Sequence, residues 1–186
     1  MNIPNFLTIA RILLIPLMVI FLLDGELSSA FWVFVVAGIT DGLDGFLARV
    51  LHQKTDFGAF IDPLADKLLL LTCYISLAVL NFLPKWLAVL VVSRDVLICG
   101  GIGVLMLYNR NFAIRPSMIS KITTLLQLLT VAFHLGQRHI GPFLEYRTLI
   151  IFLTAGFTIL SGGHYLWRGF RILGAPNEAT RDSSDR

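Results

Sequence analysis

Phe31-Trp32-Val33-Phe34-Val35-Val36-Ala37-Gly38-Ile39-Thr40-Asp41-Gly42-Leu43-Asp44-Gly45-Phe46-Leu47-Ala48 is long enough to cross a bilayer and almost wholly apolar, yet two aspartates stand in its second half. A charge at the bilayer centre costs at least ~2.5–3.5 kcal/mol on insertion scales, so each acid needs a partner, a water-filled cavity or a job. The next apolar stretch, 60–81, has Asp62 and Asp66 near its start. At ~100° per helical residue, Asp41 and Asp44 lie about 60° apart and Asp62 and Asp66 about 40° apart, so each pair shares a face. The short connection holds Arg49, His52, Lys54 and Asp56. Two adjacent antiparallel helices would therefore aim four carboxylates at one point near a membrane surface.

The rest of the chain repeats this pattern of apolar runs. They fall at 4–21, 31–48, 60–81, 86–107, 118–136 and 148–167, with turns such as Asp24-Gly25-Glu26 and Asn109-Arg110-Asn111 between them. Of 186 residues, 56% are hydrophobic and 15% charged, and mean hydropathy is +0.78; a soluble domain carries about 25% charged residues. The expectation is an all-α integral membrane protein of six transmembrane helices, one domain over 1–175 with a disordered cytoplasmic tail at 176–186. Six spans put both termini on one side. Arg49, Lys54, Arg110, Arg115, Lys121, Arg168, Arg171, Arg181 and Arg186 share that side, against Lys85, Arg138 and Arg147 opposite. The positive-inside rule then makes both termini cytoplasmic, in a multi-pass protein of the cell (inner) membrane.

Several lesser features have plain readings. The net charge of +3 comes from scattered cations and forms no basic patch, which argues against nucleic acid as a partner. Residues 1–30 lack a basic n-region, and Asp24 and Glu26 crowd the would-be cleavage site, so the first apolar run reads as a retained span. Cys73 and Cys99 sit in apolar runs as small hydrophobes. Trp32, Trp86 and Trp167 lie near span ends, where an amphipathic ring anchors to the headgroup zone. Gly38 and Gly42, and Gly100, Gly101 and Gly103, suggest close helix approach. His134 and His164 fit hydrogen-bonded neutral imidazoles within spans, and His139 a loop.

Four converging carboxylates repel one another unless a cation holds them. Hard oxygen ligands without imidazole or thiolate suit Mg2+, Mn2+ or Ca2+, and carboxylate-held Mg2+ completes its shell with water and substrate phosphates. A phosphate or diphosphate substrate follows. In the plainer alternative the acids cap helix ends or pair with Arg49, Lys54 and Lys67; that suits one aspartate better than four on matched faces.

The run Asp41-Gly42-Leu43-Asp44-Gly45-Phe46-Leu47-Ala48-Arg49, then eight residues to Gly58, three to Asp62 and three to Asp66, resembles the signature of the CDP-alcohol phosphatidyltransferases. That resemblance implies six transmembrane helices and a homodimer. It also implies that Asp41, Asp44, Asp62 and Asp66 hold the divalent ions against the diphosphate of CDP-diacylglycerol, with Asp66 as the catalytic base. Gly42 and Gly45 would leave room for the cytidine, and Arg49 and Thr55 would contact the nucleotide, with Asn5, Thr8 and Gly58 completing the donor set. Asp56 lies outside the signature and reads as a solvated loop charge.

The opening Asn2-Ile3-Pro4-Asn5-Phe6-Leu7-Thr8-Ile9-Ala10-Arg11, with Ser93-Arg94-Asp95 and Ser120-Lys121, resembles the branch of phosphatidylglycerophosphate synthases and eukaryotic-type cardiolipin synthases. This implies glycerol 3-phosphate as acceptor, or alternatively phosphatidylglycerol. Both carry a phosphate, and Arg11, Arg94, Arg115 and Lys121 are the candidate cations for it. Arg94 has a rival reading as the internal partner of Asp95 or of a signature acid, and Arg115 and Lys121 as positive-inside loop charges. Asp95 stands where bacterial members of the first type have Glu, and Ser120 before Lys121 leans toward the second; neither decides. Two other classes meet the acids less well: a prenyltransferase would lack the paired Asp-Gly steps with Ala48-Arg49, and a transporter would spread its acids across the membrane.

Overall fold

The computed structural model describes residues 3–50, 56–107, 117–137 and 145–173. The expected tail, Asn109-Arg110-Asn111 and His139 lie outside these residues. Among the described residues there are six helices and no strand: α1 (Ile3–Leu23), α2 (Leu27–Val50), α3 (Asp56–Val79), α4 (Lys85–Leu107), α5 (Met118–Leu135) and α6 (Arg147–Leu173). Each covers one of the six apolar runs, with ends shifted by a few residues. Asp56 is the first residue of α3 rather than a loop charge, a position where the helix dipole favours an acid.

Local chemistry accounts for the turns. Gly25 adopts φ 75°, a conformation that costs glycine little, and Glu26 N–H reaches back to Phe21 O at 2.8 Å to close α1 against α2. Asn81 at φ 60° reverses the chain after α3, and Phe82 N–H donates to Leu77 O at 2.9 Å. This is why α3 stops short of residue 81, since an asparagine in the left-handed region is a natural helix stop. Ser117 caps α5 by accepting from Ser120 N–H.

α1 packs on α2 and α3, α6 on α4 and α5, and α3 and α5 join the two groups. Met18, Leu22, Phe34, Cys73, Leu77 and Leu87 lie in the shared apolar core. Polar residues are buried as well: Thr8, Arg11, Arg94, Asp95, Gln127 and Ser161 among them. Meanwhile Leu13, Ile20, Val79, Val89, Phe152 and Ile159 are exposed. Charges inside and large apolar side chains outside is the distribution of a bundle solvated by lipid tails.

Among the described residues two helical stretches are long and apolar enough to cross a bilayer, Met118–Leu135 and Arg147–Gly169, and Thr8–Leu23 and Leu27–Leu43 are shorter apolar stretches. The α5–α6 pair is tied by hydroxyls. Thr130 and Thr154 hydroxyls meet at 2.7 Å, and the Thr123 hydroxyl donates to Phe157 O at 3.1 Å. Such bonds between spans are worth roughly 0.6 kcal/mol each.

One minor reading needs adjustment. No described atom comes within 4 Å of a Cβ built at Gly38, Gly42, Gly100 or Gly101, so these glycines are not close-approach points between the described helices. Their Cα positions face away from the bundle's own packing surfaces. His134 is a buried imidazole with Nδ1 2.7 Å from Thr130 O and Nε2 accepting from Arg147 Nε–H at 3.1 Å, in keeping with a neutral ring. Cys73 and Cys99 are both free thiols, and Trp32, Trp86 and Trp167 are all exposed.

Candidate active site

Arg11 is the centre of the site. It sits two turns into α1, wholly buried, and the same Nη1 faces an aspartate from each of the two acid-bearing helices. Asp41 Oδ1 on α2 is 2.9 Å away, and Asp66 Oδ1 on α3 accepts a hydrogen bond from it. The two carboxylates are 45% and 43% exposed, so the guanidinium is buried behind them while they open outward. The α1–α2 and α1–α3 packing creates this meeting point, since Arg11 stands on the helix that touches both others and is shared by both acids.

Asp41 and Asp66 thus converge as their spacing implied. Asp44, Gly45 and Arg49 sit on α2, Gly58 and Asp62 on α3, and Asn5 on α1, but their side chains lie outside the described set, as do Thr55 and Arg115 altogether. Gly42 follows Asp41 on α2 and is exposed, with open space where a side chain would stand. Thr8 lies one turn before Arg11, buried on α1.

Two half-exposed carboxylates from different helices share one positive charge. Oxygen donors are the type that suits hard cations such as Mg2+ or Mn2+, and among the described residues no group of three or more His, Cys, Asp or Glu side chains comes together to hold one.

A second polar cluster stands on the other side of α3. Arg94 Nη1 donates to Asp95 Oδ1 at 2.6 Å, and its Nη2 donates to Ser120 Oγ on α5 and Ser161 Oγ on α6, both at 2.8 Å. Lys67 Nζ adds a second cation to Asp95 Oδ1 at 2.9 Å. The rival reading of Arg94 as the partner of Asp95 therefore describes its contacts. Two cations on one carboxylate leave the cluster with a net positive charge, while Asp95 Oδ2 and Arg94 Nε are buried without a hydrogen-bond partner among the described residues. Gly162 lies beside the arginine stem, where a Cβ would make an ordinary van der Waals contact 3.6 Å from Arg94 Cγ. Lys121 is exposed next to Ser120.

The sequence reading gave Lys67 and Ser161 no role at this site. Lys67 could have been found from its position, one residue past a signature acid and hence ~100° round the helix toward a different neighbour.

A family model for CDP-alcohol phosphatidyltransferases matches residues 1–160. The chain is 32% identical over 196 residues to the CDP-diacylglycerol–glycerol-3-phosphate 3-phosphatidyltransferase of Bacillus subtilis, covering 95% of this chain and 99% of that one. It is 36% identical over 183 residues to the enzyme of the same name from Aquifex aeolicus, covering 93% and 98%. It is also 39% identical over 153 residues to a probable cardiolipin synthase (CMP-forming) of Drosophila melanogaster, covering 73% of this chain and 47% of that relative. With Asp41 and Asp66 brought to one buried arginine and the match running through five of the six helices and into the sixth, the chain belongs to the CDP-alcohol phosphatidyltransferase family.

Proposed function

We propose that this protein transfers the phosphatidyl group of CDP-diacylglycerol to a hydroxyl of glycerol 3-phosphate, giving phosphatidylglycerophosphate and CMP. The observation that carries the reading is the convergence of Asp41 and Asp66 on Arg11 with both carboxylates open on one side. Full-length similarity to relatives bearing that enzyme name supports the choice of acceptor. All six helices cross the cell membrane with both termini cytoplasmic, and the chain works as a homodimer. The site then lies where a soluble nucleotide and diacyl tails in the bilayer can both reach it.

Asp41, Asp44, Asp62 and Asp66 would hold Mg2+ or Mn2+ at the donor site. The bound ion would supply charge neutralisation for the departing CMP. Asp66 takes the proton of the acceptor hydroxyl as that oxygen bonds to the lipid-side β-phosphorus, and the bond from that phosphorus to the bridging oxygen breaks, releasing CMP. Gly42 and Gly45 admit the cytidine, and Asn5, Thr8, Arg49, Thr55 and Gly58 seat the nucleotide and its phosphates. Arg94, with Arg115 and Lys121 at the cytoplasmic edge, draws the acceptor's phosphate, and the net positive charge of the Arg94 cluster supports this. Arg11 balances the charge of Asp41 and Asp66.

Phosphatidylglycerol is the second reading for the acceptor, favoured by the resemblance to cardiolipin synthases. The test is CMP release from CDP-diacylglycerol by detergent-purified protein with Mg2+ or Mn2+, offering each acceptor in turn. Release with glycerol 3-phosphate is expected. Release with phosphatidylglycerol alone moves the assignment to a cardiolipin synthase, and silence with both refutes these two acceptors.

A further inference from the structure

Asp66 and Lys67 are neighbours on α3, so their side chains leave the helix ~100° apart and reach different partners. Asp66 bonds Arg11 of α1, whereas Lys67 pairs with Asp95 of α4 at 2.9 Å. Asp95 is only 3% exposed and Lys67 33%, so the pair links the rim of the site to the interior. Through Asp95 it joins the knot in which Arg94 ties α4 to Ser120 of α5 and Ser161 of α6. Away from this level α3 and α4 part around an apolar groove of about 460 Å³, with Ile75, Val79, Ala88 and Val92 among its walls. The two helices are thus joined by their tight turn at one end and by Lys67–Asp95 near their midpoints, while on its core side α3 meets α1 through Cys73 and Met18 and α5 through the Tyr74 hydroxyl, which donates to Gln127 O.

We propose that Lys67 is a positioning residue: its ion pair with Asp95 anchors α3 to α4 at the level of the site and so holds the Asp66 carboxylate toward Arg11 and Asp41. The inference rests on the reading of Asp66 as base and metal ligand given above. A helix rotation of ~20° moves a side-chain tip roughly 6 Å from the axis by about 2 Å. Misplacement by about 1 Å can cost on the order of 100-fold in rate. Methionine at position 67 keeps the volume and loses the tether, while arginine keeps the charge and can still reach a carboxylate.

The experiment compares purified wild-type protein with Lys67→Met and Lys67→Arg, reading kcat and KM by CMP release and Mn2+ affinity by electron paramagnetic resonance without substrates. Lys67→Met is expected to lower kcat by about 10- to 100-fold with KM for CDP-diacylglycerol and for the acceptor within about twofold, and to weaken Mn2+ binding several-fold. Lys67→Arg is expected to restore most of both. A Lys67→Met protein with wild-type kcat overturns the inference, and so does one whose acceptor KM alone rises, which would make Lys67 a substrate contact. If wild-type protein turns over neither acceptor, the reading of the reaction fails separately. Mn2+ affinity then decides the inference, and equal affinity in wild type and Lys67→Met overturns it.

Discussion

Replacing Arg11 by methionine removes the one charge that Asp41 and Asp66 are seen to share. A pair at 2.9 Å is worth ~6 kcal/mol by Coulomb's law at an effective dielectric of about 20, before the cost of burying the guanidinium is subtracted. Breaking a fully buried pair typically costs ~3–5 kcal/mol. Here the arginine is fully buried but both acids are nearly half exposed, so water screens them and about 2 kcal/mol is the better expectation. For a chain of this length that lowers Tm by about 4–8 °C. The loss should depend on divalent metal, because an ion on the carboxylates supplies the missing positive charge. At 100 times its Kd a ligand adds ~2.7 kcal/mol, enough to offset the substitution. Thermal unfolding in detergent, in chelator and in excess Mg2+, reads both effects. Arg11→Met is expected to melt well below wild type in chelator and to gain more from Mg2+ than wild type does. Equal melting in chelator, or equal gains from Mg2+, refutes the shared counter-ion.

Gly42→Leu should fold normally, since a Cβ at that exposed position meets nothing within 4 Å, and leucine favours the helix over glycine by up to ~1 kcal/mol. Its KM for CDP-diacylglycerol should nevertheless rise at least tenfold if the open space receives the nucleotide; an unchanged KM removes Gly42 from the donor site. Asp41→Asn is expected to weaken Mn2+ binding and donor binding together, and titration of each by separate methods would show whether they fall in step. Arg147→Met loses the hydrogen bonds to His134 Nε2 and to Phe82 O far along the chain from the signature acids. It should lower stability by about 2 kcal/mol, as expected for charge-assisted bonds, and leave KM for both substrates unchanged.

The fold was legible from the six apolar runs, because a helix that satisfies its own backbone is the simplest way to bury twenty apolar residues in lipid. Helix ends were less so. α3 begins at Asp56 and stops at Val79 because Asn81 turns left-handed, and neither event changes hydropathy. The meeting of Asp41 and Asp66 was legible from helical spacing, while the side chains of Asp44 and Asp62 lie outside the described residues. What Asp41 and Asp66 bond to was not: Arg11 lies 30 residues from Asp41 and 55 from Asp66 along the chain, and nothing in a single span announces that α1 will pack against both other helices. Its assignment to the acceptor rested on its cost inside a span, and the structure shows that two carboxylates of the chain itself already meet that cost. Arg94 illustrates the same limit, since Asp95 beside it was visible but the hydroxyls of Ser120 and Ser161 come from helices α5 and α6.

Phosphatidyl transfer at the Asp41–Asp66 site is tested most directly by mass spectrometry of the lipid product made from CDP-diacylglycerol and glycerol 3-phosphate, run in parallel on wild-type protein and on Asp66→Asn. Wild type is expected to accumulate phosphatidylglycerophosphate with one CMP per product, and Asp66→Asn to bind the donor yet form none. Near-normal product from Asp66→Asn would contradict the site, and no phosphatidylglycerophosphate from active wild-type protein would contradict the acceptor.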